Sequence, residues 1–87
     1  MSNEEARLRI QAARAEAFEL GYRLFADEAI NMPEPITHLA FAAPVVGSQT
    51  GMARFLTYST SAADAMEAGL EVIRGVVERG EPWPESN

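Results

Sequence analysis

The chain has 87 residues and a formal net charge of −6. That length supports one small domain, which buries only about 60% of its unfolded surface, and that charge opposes non-specific attraction to nucleic acid or anionic lipid. Cysteine and lysine are both absent, which excludes disulfides, thiolate metal sites, a cysteine nucleophile and Schiff-base chemistry. All seven basic residues are arginines, whose guanidinium groups suit pairing with carboxylates.

Hydrophobic residues make up 47% and charged residues 23% of the chain, the balance of a folded domain. The first ten residues, MSNEEARLRI, put acids first and lack an apolar run behind a basic one, so they do not read as a signal peptide. A cytoplasmic location is the expectation.

The first predicted element is a long helix over residues 3–31. Ser2 followed by Glu5 forms a capping box, Glu4 and Glu5 suit the positive end of the helix dipole, and Pro33 and Pro35 stop the element. Ile10, Ala13, Ala17, Leu20, Gly21, Leu24 and Phe25 share one side of the wheel, flanked by Phe18. Glu5 with Arg9, and Glu19 with Arg23, are i,i+4 pairs for the solvent side.

A charge void follows. Nineteen consecutive residues, Pro35 to Ala53, carry no formal charge apart from any proton on His38, yet Pro44, Gly47 and Gly51 break the stretch too often for a membrane span. Alternation over residues 36–46 and 52–59 predicts two strands that pair as an antiparallel hairpin. The stretch PVVGSQTG between them offers two glycines around a serine and a threonine, the ingredients of a phosphate cradle. It leads into a strand rather than a helix and lacks a lysine, so it reads as the hairpin turn.

The second helix is predicted over residues 62–79. Ser61 and Asp64 repeat the capping box, Met66, Leu70, Ile73 and Val77 form an apolar stripe, and Gly80 with Pro82 ends the helix. Ala13, Ala17 and Gly21 on the first helix, with Ala65 and Gly69 on the second, predict low ridges that let the helices touch. Residues 81–87 read as a tail on a single domain spanning 1–80, with Trp83 between two prolines, either folded back on an apolar patch or held out as a partner anchor.

The resulting fold class is α+β: helix, strand, strand, helix, with the hairpin packed on two helices. Two helices cover one face of a hairpin, so an apolar face and two bare strand edges remain. Either Leu39, Phe41 and Phe55 face the helices, leaving Ile36, Ala40, Ala42, Leu56 and Tyr58 as an oligomer interface, or the reverse holds. A homo-oligomer, first of all a dimer, is expected to complete the sheet or cover that face.

Chemistry is sparse. His38 has no second histidine or cysteine with which to share a metal, and it reads as structural or interfacial. Ser59, Thr60 and Ser61 gather at a helix start where an anion could sit, although Ser61 also reads as the cap and Asp64 already occupies the favourable position. Asp64, Glu67, Glu71, Arg74 and Glu78 form a polar stripe opposite the apolar one, a solvated face that suits a basic partner.

These features predict a non-catalytic acidic protein, without cofactor or metal, that occupies a surface of a protein partner as inhibitor or adaptor. Such a composition suits an accessory protein of a phage, plasmid or bacterium. Asp64, Glu67, Glu71, Glu78 and Trp83 are then the partner-binding candidates, with no direct contact to nucleic acid or membrane. The alternative is an oligomeric binder of a phosphorylated or nucleotide-like ligand, using Arg54, Tyr58, Ser59, Thr60, Ser61 and His38.

Overall fold

The computed structural model of the chain describes residues 2–45 and 53–80. They run in the order α1 (Asn3–Glu19), β1 (Tyr22–Glu28), β2 (His38–Pro44), β3 (Arg54–Ser59) and α2 (Ala62–Arg79). The class is α+β, with the three strands in one antiparallel sheet of order β1-β2-β3.

The principal correction concerns the first predicted helix, whose second half is strand β1. The helix closes at Leu20, whose N–H donates to the carbonyls of Glu16 and Ala17, and Gly21 donates to Phe18 O at 3.0 Å. Gly21 then adopts φ 96°, a conformation open to glycine at no steric cost. From Tyr22 the chain is extended, with Tyr22, Leu24 and Ala26 toward the core and Arg23, Phe25 and Asp27 on the other side. Leu20, Leu24 and Phe25 fit one face of a helix while Tyr22, Leu24 and Ala26 fit one face of a strand, which is why the wheel extends too far. Glu19 and Arg23 consequently fall on either side of a turn and not on one helix face.

The predicted hairpin holds. β2 pairs with β3 through Leu39↔Tyr58 and Phe41↔Phe55, inside the predicted spans. A register shift between Ala40 and Phe41 leaves Leu56 as the extra residue of a bulge, and Leu56 points toward α2. β1 covers the other side of β2, so the second hairpin edge is paired, and β1 itself carries Arg23, Asp27 and Glu28 along the new edge. The turn segment GSQTG lies outside the described residues, as do the tail and Trp83.

Both helices lie on one face of the sheet. The core beneath them joins Ala13 and Ala17 of α1, Met66, Leu70 and Ile73 of α2, and Leu24 and Ala42 of the sheet. The elements sit close because the residues between them are small. A Cβ built at Gly69 would lie 3.0 Å from Leu24 Cδ1 and 3.1 Å from Ala40 Cβ. Gly69 therefore fits α2 to the sheet, and not to α1 as the low-ridge reading predicts. Ala13, Ala17 and Ala65 are buried as expected, whereas Gly21 leaves the helix altogether.

Candidate functional site

With both helices on one side, no other helix or strand among the described residues packs on the opposite side of the sheet. Strand alternation brings Phe25 of β1, Phe41 of β2 and Phe55 of β3 into one row across the three strands. The Phe25 and Phe41 rings stack with centroids 5.7 Å apart, and Phe55 meets Phe41 edge-on at 6.1 Å. These spacings are those of favourable aromatic pairs, so each ring restrains its neighbour's rotamer. Leu39 opposite Tyr58 extends the apolar row toward the start of β2. Phe55 remains 48% exposed and Tyr58 54% exposed, an arrangement that leaves large apolar side chains in water.

Polar groups on this face are few and asymmetrically placed. Arg23 pairs in register with Ala43 and Asp27 with Leu39, so opposite charges stand at the two ends of β1 with Phe25 midway between them. Both are exposed. The sheet is seven residues long in β1 and β2. At about 3.3 Å per residue and about 4.8 Å per strand, its projected face is roughly 23 by 14 Å, on the order of 300 Å² before side-chain relief.

The residues expected at an oligomer interface are divided by the structure. Ala40 and Ala42 are fully buried under the helices, Leu56 is half-buried against Gly69, and Ile36 lies in the β1–β2 loop, donating its N–H to Pro33 O at 3.1 Å. Only Tyr58 of that set stands on the open face. The structure selects the reverse of the first alternative, in which Leu39, Phe41 and Phe55 point away from the helices. The physical reason is size: alanines and one leucine admit the helices at close range, and three phenylalanines would not.

The ligand candidates are also spread out. His38 pairs with Ser59 at one end of the sheet, and its Nδ1 lies 2.9 Å from Thr37 Oγ1. Arg54 stands at the far end of β3, five residues or about 17 Å from Ser59. Ser61 caps α2 by accepting from the Asp64 N–H at 3.1 Å, and Thr60 is exposed in the connection before it. Among the described residues no three His, Asp or Glu side chains gather into a group that could hold a metal ion.

Most of the acidic stripe on α2 is engaged internally. Arg9 of α1 donates to Glu67 Oε2 at 2.8 Å and to Asp64 Oδ1 at 2.6 Å, and Arg74 donates to Glu16 Oε2 at 2.7 Å while also pairing with Glu71. These bonds tie α1 to α2. The Arg9 guanidinium holds the Glu67 carboxyl below its ordinary range, and holds Asp64 below it with help from the Ser61 hydroxyl; in return Arg9 is itself raised, by Glu67 first and Asp64 second. Arg74 is raised chiefly by Glu16. Glu78 is exposed near the end of α2.

Phe25 is the site residue that the sequence reading misses, because the helix assignment places it on a helix wheel. The signal is present in Tyr22-Arg-Leu-Phe-Ala-Asp27, where apolar and polar sides alternate directly after a glycine. No helix among the described residues is long and apolar enough to cross a membrane. Comparisons with protein-family models, with curated proteins and with solved structures gave no match to this chain.

Proposed function

We propose that the protein is a non-catalytic binding protein that self-associates through the open face of its sheet and presents its helix layer outward to a protein partner. The observation that supports this reading is the restrained row Phe25, Phe41 and Phe55 on the side away from both helices, with Phe25 and Phe41 half-buried and Phe55 exposed. Rigid aromatic side chains give large contact area at small entropic cost, the usual make-up of an interface centre. A face on the order of 300 Å² in projection lies toward the low end for specific interfaces, so the association is weak and depends on concentration.

Self-association would leave α1 and α2 on the outside of the assembly. Their charges sum to −3, from Glu4, Glu5, Glu16, Glu19, Asp64, Glu67, Glu71 and Glu78 against Arg7, Arg9, Arg14, Arg74 and Arg79. A basic protein surface is the complementary partner, and such a contact weakens steeply with salt. Inhibition or adaptor work follows from occupying that surface.

Native mass spectrometry of protein purified from its host tests the reading. Multiples of the 9.5 kDa chain mass are expected. A single 9.5 kDa chain bearing a discrete small added mass would overturn it in favour of ligand binding.

A further inference from the structure

The geometry points to one arrangement of the pair: two copies packed sheet to sheet about a two-fold axis that runs along the phenylalanine row, perpendicular to the strands. This rests on the reading that the open face self-associates. It adds which groups meet.

Two symmetric ways of laying one sheet on its copy keep the strands of the two sheets aligned, because the two-fold axis must lie in the plane between them, either along the strands or across them. An axis parallel to the strands places β1 of one copy over β3 of the other. Asp27 would then be set over Tyr58, and Arg23 past the Arg54 end of β3, so neither charge meets an opposite one and the desolvation of Asp27 gains no ion pair in return. An axis perpendicular to the strands keeps β1 over β1 and reverses its ends. Arg23 of each copy then faces Asp27 of the other, twice per dimer.

The same operation lays the aromatic row on itself. Phe25, Phe41 and Phe55 lie along the axis and meet their own counterparts. Charge on this face is thus complementary to itself under one rotation and not under the other. The twist of each sheet sets the two strand directions about 30° apart, as in aligned sheet packings.

Charge reversal tests the arrangement by sedimentation velocity. Arg23→Asp and Asp27→Arg each place like charges opposite one another, and each should raise the dissociation constant on the order of tenfold. The double variant Arg23→Asp/Asp27→Arg restores opposite pairs and should return toward wild type. Equal weakening in the double variant, or no change in the singles, would overturn the arrangement while leaving self-association in place. A wild-type chain that stays monomeric would overturn the underlying reading instead.

A second measurement is independent of how charges affect folding. Because the chain lacks cysteine, Arg23→Cys and Asp27→Cys variants can be mixed and treated with a short bismaleimide that spans the roughly 10 Å between packed sheets. Preferential linkage of Cys-bearing positions 23 and 27 between copies is expected. Preferential linkage of each position to itself would contradict it.

Discussion

Gly69 and Gly75 both lie within α2, six residues apart, and replacing each by alanine should have opposite effects. In a helix interior the exchange by itself stabilises by about 1 kcal/mol. At Gly75 the new Cβ would meet the Arg79 guanidinium, with Nη1 at 2.9 Å; that is the far end of a long side chain, which shifts easily, so most of the gain survives. At Gly69 the new Cβ would lie 3.0 Å from Leu24 Cδ1 and 3.1 Å from Ala40 Cβ. Leu24 and Ala40 are both fully buried, and a Cβ on the central strand yields only if the backbone moves. Overpacking of this kind costs about 1–3 kcal/mol, which cancels or outweighs the helical gain. Gly75→Ala should therefore be the more stable variant by about 1–3 kcal/mol, or several degrees or more in Tm for a domain of this size. Thermal unfolding followed by circular dichroism reads it at fixed protein concentration. A Gly69→Ala protein as stable as Gly75→Ala would refute the close seat of α2 on the sheet.

Three further outcomes follow from the same structure. Leu24→Ala should cost about 2–5 kcal/mol in chemical denaturation, because Leu24 is fully buried in the core; a loss under 1 kcal/mol would contradict its place there. Gly21→Ala should destabilise by about 1–2 kcal/mol, since φ 96° strains any residue with a Cβ, and an unchanged Tm would contradict the turn. Arg9→Gln removes the partner that depresses Asp64 and Glu67. Depressed carboxyls add stability that is fully present above their unfolded values near pH 4 and lost as pH falls through the lower folded values. The stability difference between wild type and Arg9→Gln should thus be constant near neutrality and shrink below about pH 4; a difference that persists into acid would refute the pairing.

How far the sequence reveals the molecule depends on how singular each local signal is. Ser2 and Ser61 cap helices at the predicted residues, and the hairpin strands fall within their predicted spans, because capping boxes and chargeless alternation have few competing readings. The segment Leu20 to Phe25 has two. Its apolar spacing fits a helix and a strand, and only Gly21 breaks the tie through its backbone rather than its side chain. Missing β1 hides Phe25 and the third strand together.

The sequence also shows that one sheet face would stay apolar but not which one. That choice is made by tertiary fit, in which Ala40, Ala42 and Gly69 let α2 approach and the phenylalanines are left outside. The acidic stripe on α2 is legible from spacing. Its engagement by Arg9 and Arg74 depends on how α1 lies beside α2, which no local pattern encodes.

The proposed assembly depends on the phenylalanine row being a contact surface between copies. Sedimentation equilibrium of wild type and Phe41→Glu, with circular dichroism to verify that both are folded, tests it most directly. Phe41 lies at the centre of the row, in contact with Phe25 and Phe55. The wild-type mass should rise from 9.5 kDa toward twice that value over micromolar concentrations, while folded Phe41→Glu stays at the monomer mass. A wild-type chain fixed at 9.5 kDa, or a folded Phe41→Glu that associates as strongly as wild type, would contradict the claim.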